Sequence, residues 1–552
     1  MNISSENELL SKCALAWGDS GAEKGEVFTK QNIVDFMIKT SGIDQAILLT
    51  ETRILEPSCG QGDFVLAIAK ELCKKASLNG IVNGGRFNSL VTAYDISSEN
   101  ISNAKRKTLE VLNSTFSFED SKELVEQWYK NTDFLLEEKQ SRFTHVIGNP
   151  PYIRIENIPV DLLKAYRKTF STMKERADIY IAFFEKSLSL LNNKGVLSFI
   201  CTDRWTKNRY GSSLRKYISN SYQLDLFVDL YGQNAFKAEV LTYPAITQIS
   251  KQSNKQTIII HNPNIDELFS NLVARSLNRN IVDFEGAIVR KDVVNSDKPW
   301  MFGSPDELKL ISRLESEFPL IEDSGCKIYI GAATGNNKVY VVNGNLDIEQ
   351  CRKIPMVKAG DLKDGYHRDA QQFLINTYDE NGVIDLERFP KLQSYLEIHS
   401  EVLKSRHIAK KQPDAWFKTI DRVYPERADK AKLLIPDIKS QLTVIYSEGF
   451  HPNNSIYYIC SESWSLRALQ AVLLSGLGQL FVSVYSTKVS GGNLRFQAQH
   501  LRKIRLPQWK NISKTTRLQL ENAAVVGDLS EAKKIVFSLY NFSESEKQIL
   551  GY

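Results

Sequence analysis

The sequence has few cysteines and histidines, and neither type is clustered. Its seven cysteines are an odd number, are spread between Cys13 and Cys460, and include no Cys-x-x-Cys pair. The seven histidines are equally dispersed. Structural zinc sites and disulfide frameworks both depend on closely spaced or paired ligands. The sequence therefore indicates neither, and we expect a function without a bound metal.

Long hydrophobic runs are also missing, and we expect no apolar stretch long enough to span a bilayer. Residues 1–8 lack the basic and then apolar pattern of a secretion signal. The formal net charge of +5 is mild, so it permits a polyanionic partner without requiring one. These features predict a soluble cytoplasmic protein without a membrane contact, and we also expect it to be a monomer.

The length of 552 residues exceeds what one ordinary core holds, and 42% hydrophobic with 24% charged residues is typical of globular domains. A polar stretch at Ser250–Gln256 separates two parts of different character. It predicts one domain over residues 1–255 and a second domain over residues 256–552. Neither part contains an internal repeat or a low-complexity tract.

A glycine turn lies between a predicted strand and a predicted helix in the first domain. The strand ends at Glu56, and the helix covers Phe64–Lys74. The turn consists of Pro57, Ser58, Cys59, Gly60, Gln61, Gly62 and Asp63. In the strand–turn–helix units of α/β proteins, such glycines let a nucleotide approach the backbone. The sequence therefore predicts a Rossmann-like α/β fold with a nucleotide-type ligand at this turn.

Further acidic residues follow the next predicted strands and narrow the choice of ligand. Asp95 ends the strand Leu90–Asp95, at the edge where an open α/β sheet binds a ribose. Asp133 could accept an adenine amino group, and Phe134 could pack on the ring. NAD is less favoured, because its acidic residue is expected about 20 residues after the turn and a third glycine is missing. Taken singly, each acid is also explained as a solvated residue or a helix cap.

Thr29 precedes apolar residues at helical spacing, from Ile33 to Met37. The pattern predicts that Thr29 caps this helix. A capped helix is the simpler interpretation, although a helix N-terminus beside a hydroxyl also suits a carboxylate.

The strand Phe143–Ile147 ends in Asn149-Pro150-Pro151-Tyr152. The prolines stop the strand and keep the backbone extended. The loop presents the side-chain carbonyl of Asn149, the main-chain carbonyl of Pro150 and the ring of Tyr152. Two carbonyls can accept both N–H bonds of an exocyclic amino group, which makes its lone pair nucleophilic while the ring stacks on the base. An ordinary turn after a strand is the alternative.

In this order, the motifs resemble the γ-class adenine-N6 DNA methyltransferases of the TaqI type, which belong to type II bacterial restriction–modification systems. The motifs are Phe28-Thr29, the turn from Glu56 to Gly62, Asp95, Asp133-Phe134 and Asn149–Tyr152. The resemblance implies methyl transfer from S-adenosylmethionine to the N6 amino group of adenine in double-stranded DNA, without a metal. It also implies a separately encoded restriction endonuclease for the same site and a bacterial cytoplasmic location.

The resemblance assigns roles to individual residues. The catalytic residues would be Asn149, Pro150, Pro151 and Tyr152. The cofactor contacts would be Thr29 near the methionine carboxylate, Glu56, Ser58, Cys59, Gly60 and Gly62 near the methionine part, Asp95 at the ribose, and Asp133 with Phe134 at the adenine. Phe28, Ile96 and Asn149 would also contact the cofactor. Many relatives have a glutamate where Asp95 stands.

Phe236 lies between the predicted strands Leu226–Leu230 and Thr242–Ile249. The resemblance implies that it stacks on the target base opposite Tyr152. From the residues alone, a core phenylalanine between strands is the simpler interpretation.

The second domain carries weaker signals. Ile328–Val342 alternates like a hairpin around a polar glycine turn, Lys404–Lys418 mixes cations with an aromatic, and Ser490–Phe496 indicates a flexible loop. Each is also explained as a solvated surface or a turn. Together they resemble the mixed α/β DNA-recognition domain of the family. The candidates for DNA contacts are Lys338, Lys411 and Arg495.

Three alternative functions remain. A glutamine N5-methyltransferase acting on protein shares the Asn-Pro-Pro-Tyr loop, but lacks the Phe-Thr segment and the large second half. A fused restriction endonuclease–methyltransferase needs an Asp separated from a Glu-x-Lys pair. The nearest match, Pro305–Lys309, is contiguous and predicted helical, and residues 1–24 leave no room for a nuclease domain. A purely DNA-binding specificity protein would not need the cofactor acids.

Overall fold

The computed structural model describes residues 27–551, except residues 139–141, 231–232, 239–243, 252–255, 280, 283, 364–365, 368–371, 487 and 490–492. The chain forms two compact units, Met1–Phe302 and Gly303–Tyr552.

A nine-stranded sheet forms the centre of the first unit. Its strands are β1 (Ile54–Glu56), β2 (Val91–Asp95), β3 (Tyr129–Asn131), β4 (Phe143–Gly148), β5 (Leu191–Thr202), β6 (Gln223–Asp229), β7 (Pro244–Ser250), β8 (Thr257–His261) and β9 (Ala287–Arg290). Their order is β3-β2-β1-β4-β5-β7-β6-β8-β9. Neighbours from β3 to β5 are parallel, whereas β7 is antiparallel to β5 and β6. The Rossmann-like α/β prediction is confirmed.

Helices cover both faces of this sheet. They are α1 (Gln31–Ser41), α2 (Ile43–Ala46), α3 (Asp63–Leu78), α4 (Ser98–Leu112), α5 (Phe118–Trp128), α6 (Val160–Thr169), α7 (Tyr180–Ser189), α8 (Ser212–Ser221) and α9 (Glu267–Arg279). Successive side chains of a strand point to opposite faces. Accordingly, Ile54 of β1 packs in one buried cluster, which includes residues of α1, α3 and α4, and Leu55 packs in the other, which includes residues of α6, α7 and α8.

The first unit extends beyond the predicted boundary at residue 255. β8 pairs with β6 and β9 pairs with β8, so the sheet continues past that boundary. Phe302 stacks on Phe227, with ring centroids 3.7 Å apart and 5° between the ring planes. Trp300 is fully buried against Trp205. The polar stretch at Ser250–Gln256 therefore follows an internal strand of the sheet and does not divide two cores.

In the described part of the second unit, the strands form five small sheets. One contains β10 (Cys326–Ile330), β22 (Ile456–Ser461), β18 (Lys432–Pro436) and β20 (Ile445–Ser447), and another contains β11 (Val341–Asn343), β15 (Gln372–Ile375), β12 (Lys353–Val357) and β21 (His451–Pro452). The smaller ones pair β13 (Leu362–Lys363) with β14 (Tyr366–His367), β16 (Tyr378–Asp379) with β17 (Gly382–Val383), and β24 (Asn493–Arg495) with both β19 (Ile438–Lys439) and β23 (Lys488–Val489).

The described part of the second unit also contains α-helices. They are α10 (Pro305–Glu317), α11 (Asn337–Tyr340), α12 (Pro390–Ile398), α13 (Ser400–Lys404), α14 (His407–Lys411), α15 (Pro425–Asp429), α16 (Leu466–Val472), α17 (Gly478–Tyr485), α18 (Ala498–Leu501), α19 (Lys514–Val526), α20 (Leu529–Leu539) and α21 (Glu544–Ile549). α10 begins with a capping box, in which Ser304 and Glu307 bond to each other's backbone N–H, and with Pro305 at its first position.

The predicted hairpin over Ile328–Val342 is wrong. β10 ends at Ile330 and pairs with β22, whereas β11 pairs with β15 in a different sheet. Between them, Thr334 Oγ1 accepts the Asn336 N–H at 3.1 Å, and Asn336 Oδ1 accepts the Lys338 N–H at 3.1 Å. These side-chain bonds favour a turn and the short helix α11 over a strand ladder.

One stretch in the second unit contradicts the expectation that no apolar stretch is long enough to span a bilayer. By length and composition, Leu466–Tyr485 could cross a membrane, and the described residues contain no other such helix. However, 72% of its most apolar window is buried inside the protein. That degree of burial is typical of the core helix of a globular unit.

Candidate active site

The carboxyl ends of β1, β2 and β4 meet at one edge of the first sheet, where a cleft opens. Parallel strands that are hydrogen-bonded neighbours bring the residues after them together. The cleft is lined by thirteen of the residues predicted from the sequence: Phe28, Thr29, Glu56, Ser58, Cys59, Gly60, Asp95, Ile96, Asp133, Phe134, Asn149, Pro150 and Pro151. Gly62, Tyr152 and Phe236 are not among its lining residues.

The glycine turn takes the backbone conformation that only glycine adopts easily. Gly60 has φ +49°, and its N–H donates to Asp95 Oδ2 at 2.8 Å. Gly62 has φ +87° and precedes α3, and a Cβ there would lie 2.8 Å from the Cβ of Ala104. Both glycines therefore permit the close packing of the turn against β2 and α4.

Three carboxylates, Glu56, Asp63 and Asp95, lie together at the floor of the cleft. Burial raises the pKa of Glu56 well above its ordinary value, and the charges of Asp63 and Asp95 raise it further. Glu56 Oε2 and Asp63 Oδ2 are buried without a hydrogen-bond partner among the described residues. Buried acceptors of this kind favour a cationic ligand. The described residues contain no group of three or more side chains placed to hold a metal ion.

Asp133 and Phe134 form a wall of the cleft. Asp133 accepts the Leu135 N–H at 2.8 Å and the Tyr166 hydroxyl at 2.6 Å. Burial raises the pKa of Asp133, and the bond from Tyr166 opposes that effect. The Phe134 ring lies 5.6 Å from the ring of Phe183. An acceptor beside an aromatic face suits a planar ring that carries an amino group.

Asn149 is held by one end of its side chain. Its Nδ2 donates to Val27 O at 2.7 Å and to Thr29 Oγ1 at 3.2 Å. Its Oδ1 is buried and has no partner in the part of the chain that the structure describes. Its main-chain carbonyl accepts the Ser58 hydroxyl at 3.2 Å. The side-chain carbonyl is thus fixed in orientation and available to accept from a ligand.

Thr29 does not cap the first helix, which corrects the prediction. The N-cap residue of α1 is Lys30, and no side chain caps it. The Thr29 hydroxyl instead accepts from Asn149, and the Thr29 backbone forms a bridge with Phe236. A helix that begins one residue later leaves the hydroxyl directed to the loop after β4.

Tyr152 and Phe236 lie beside each other. Their ring centroids are 6.2 Å apart and the ring planes meet at 67°, an edge contact. The Tyr152 hydroxyl donates to Ile200 O at 3.2 Å. Phe236 is 4% exposed and packs in a core cluster. The structure therefore brings the two predicted stacking residues together.

The sequence interpretation missed several cleft residues. Asp63 is the last residue of the glycine turn, and its Oδ1 pairs with Lys237 Nζ at 2.7 Å. Its position in the turn was a usable signal. Tyr166 and Phe183 come from α6 and α7. Nothing in their local pattern distinguishes them from ordinary core aromatics.

The three candidates for DNA contacts lie in the second unit. Lys338 in α11 and Lys411 at the end of α14 are exposed. Arg495 lies in β24, and its Nε and Nη2 donate to the carboxylate of Asp437. Residues 490–492 of the predicted loop Ser490–Phe496 lie outside the described residues, whereas Asn493–Arg495 form a strand and not a flexible loop. The DNA contacts stay predictions.

Comparisons with known proteins identify the family of this chain. Residues 45–236 match the family described as Eco57I restriction-modification methylase. The type II methyltransferase M.XhoI of Xanthomonas vasicola is 40% identical over 541 residues, which cover 96% of this chain and 99% of the relative. M.PaeR7I of Pseudomonas aeruginosa is 40% identical over 547 residues, which cover 98% and 95%. The chain belongs to the type II methyltransferases of restriction–modification systems. As such it is a DNA-methylating enzyme.

A solved structure has a fold similar to that of most of this type II methyltransferase. The Type IIL restriction-modification enzyme MmeI, determined in complex with DNA, matches with a TM-score of 0.63. The match covers 94% of this chain and 76% of that chain, at 13% identity. A likeness at this identity shows the fold alone.

Proposed function

We propose that this type II methyltransferase transfers a methyl group from S-adenosylmethionine to the N6 amino group of adenine in double-stranded DNA. The modification protects the DNA from a separately encoded restriction endonuclease for the same site. The observation that carries the proposal is the buried Asn149 Oδ1, which is fixed in place and has no partner among the described residues.

The cleft residues fit S-adenosylmethionine. Its ammonium and sulfonium groups are cationic, and the buried oxygens Glu56 Oε2 and Asp63 Oδ2 are acceptors without a partner in the described chain. Asp95 ends β2, where the ribose is bound in this fold class, and Asp133 with Phe134 suits the adenine. When bound, the cofactor supplies an electrophilic methyl group.

The Asn149–Tyr152 loop activates the target amine. Asn149 Oδ1 and the carbonyl of Pro150 accept its two N–H bonds, which reduces conjugation of the lone pair with the ring. Tyr152 and Phe236 stack on the base. Because adenine inside a duplex cannot be reached, the base must be extruded, at a cost of a few kcal/mol that stacking and backbone contacts offset. The second unit reads the target sequence.

The decisive experiment is to incubate the full chain with unmethylated plasmid DNA and S-adenosylmethionine, and to map methylated bases by single-molecule sequencing. We expect N6-methyladenine at one short recurrent sequence. DNA treated with the Asn149→Ala variant serves as the matched control. Methylation at cytosine, or methylation of a protein glutamine without DNA modification, would refute the adenine assignment.

A further inference from the structure

Lys186 lies on α7, outside the residues that line the cleft, and its ammonium group is directed at one turn of the backbone. Its Nζ donates to the carbonyl oxygens of Phe134, Leu135 and Glu137, the last two at 3.2 and 2.6 Å. A lysine has three donors, so this geometry uses all of them.

The turn that Lys186 binds is the wall of the cofactor cleft. It is closed by the N–H groups of Leu136 and Glu137, which donate to Asp133 O at 3.2 and 3.1 Å. Lys186 Nζ also lies 4.9 Å from the centroid of the Phe134 ring. One cation therefore bonds the carbonyls at the end of the turn and contacts its aromatic side chain.

We propose that Lys186 is a positioning residue for the cofactor, whose ammonium group holds the Asp133–Glu137 turn in the conformation that lets Asp133 and Phe134 line the cleft. The inference rests on the proposed function, in which that cleft binds S-adenosylmethionine. Without the cation, the three carbonyls lose their shared donor and the turn rearranges at a cost to cofactor affinity.

The environment of Lys186 makes this role dependent on pH. Burial lowers the pKa of Lys186 to about 8, although the charges of Asp133, Glu137 and Glu138 raise it. The ammonium group is therefore present below about pH 8 and is lost as the pH rises through that value. An arginine at this position keeps its charge throughout that range.

The test compares the affinity of the full-length wild type for S-adenosylmethionine, measured by calorimetry without DNA, with that of three variants. Lys186→Met should raise the Kd by about tenfold, the loss that corresponds to one hydrogen bond to a charged group. Lys186→Arg should stay closer to the wild type. Lys251→Met is the matched control, because Lys251 donates to Leu191 O at 2.9 Å and lies over the Tyr222 ring. Its Kd should not change.

Two further readouts separate positioning from general stability. Hydrogen exchange of the Leu136 and Glu137 amides should accelerate in Lys186→Met but not in Lys251→Met. The affinity of the wild type should fall relative to that of Lys186→Arg as the pH rises through about 8. The cofactor's own amino group titrates equally in both proteins, so the difference reports Lys186.

The outcomes are distinguishable. A wild-type chain that binds no S-adenosylmethionine overturns the proposed function and this inference with it. A wild type that binds, together with a Lys186→Met variant of equal affinity, overturns this inference alone. An equal loss of affinity in Lys251→Met would show general destabilisation and would also overturn it.

Discussion

The side chain of Asn149 is held in place through its amide nitrogen, while its carbonyl oxygen stays available as an acceptor. Its amide nitrogen is engaged by Val27 and Thr29, whereas its oxygen has no partner in the described chain. Asn88 is not among the residues that line the cleft and has the same arrangement, since its Nδ2 donates to Glu123 at 2.7 Å and its Oδ1 is buried without a described partner. Replacing each asparagine in turn therefore separates the effect of the proposed chemistry at Asn149 from the effect of losing a buried, hydrogen-bonded side chain.

Asn149→Ala should reduce the rate of methyl transfer by roughly a hundredfold or more, because a preorganised acceptor acts on the amine mainly in the transition state. The affinities for S-adenosylmethionine and DNA should change little. Single-turnover transfer of a labelled methyl group measures the effect, with Asn88→Ala as the control that keeps normal turnover. Near-normal turnover of Asn149→Ala would contradict the proposed chemistry.

The buried carboxyl group of Glu56 in the cleft makes the stability of the folded protein depend on pH. Because burial raises its pKa in the folded chain, the folded state binds the Glu56 proton more tightly than the unfolded state. Stability therefore falls as the pH rises above the ordinary value of 4.5 and until the folded pKa is passed. At neutral and alkaline pH, the cofactor-free protein carries this cost.

Glu56→Gln should remove that cost, so the cofactor-free variant should melt at a higher temperature than the wild type at about pH 8. The difference should vanish near the ordinary pKa of 4.5. The variant should also bind the cationic cofactor more weakly, by about tenfold. Melting curves across this pH range test the first point, with Glu71→Gln on α3 as control. A lower melting temperature of Glu56→Gln under alkaline conditions would disagree with the argument.

At the scale of elements, Phe236 lies in the segment between β6 and β7, and that segment bridges to Thr29. Replacing Phe236 by leucine keeps apolar volume in the core but removes the aromatic face. Phe236→Leu should weaken capture of the extruded adenine, since stacking is worth about 1–3 kcal/mol per base. A 2-aminopurine at the target position reports this by its fluorescence. Unchanged fluorescence and kinetics would leave Phe236 as a core residue.

The cleft residues that lie at the ends of strands could be predicted from the sequence. Glu56, Asp95 and Asn149 each come at or just after a short apolar run, and parallel pairing of β1 with β2 and β4 gathers them at one edge. Tyr166 and Phe183 reach the cleft from helices on one face of the sheet, and their spacing is only that of a buried stripe. A local pattern shows which residues are buried, but not which of them surround a cavity.

Pairing partners were less predictable than the strands themselves. The apolar alternation of Ile328–Val342 correctly indicates extended segments at both ends, yet β10 and β11 pair with strands that lie far along the chain. The prediction that Thr29 caps the first helix failed for a related reason. Its hydroxyl bonds to Asn149, a residue 120 positions away, and no local capping rule includes that contact.

At the scale of the whole molecule, the two compact units predict a division of labour. A fragment of residues 1–302 keeps the complete nine-stranded sheet and should bind S-adenosylmethionine, but it should lose site-specific methylation. A fragment of residues 1–255 lacks β8 and β9 and should be unstable. Circular dichroism, calorimetry and methylation of random duplexes compare both with the full chain. A soluble 1–302 fragment that modifies the same sequence as the full chain would place recognition in the first unit.

The stacking of Phe302 on Phe227 also indicates where the sequences of two related methyltransferases could be joined into one chimaeric chain. Phe302 is the last residue of the first unit, and its carbonyl accepts from His261 at 3.0 Å. The next unit begins almost at once, because Ser304 caps α10. A chimaera that takes its target preference from another methylase should therefore be spliced at Gly303. That junction preserves the aromatic stack on one side and the capping box on the other, so each half keeps its own core in the hybrid.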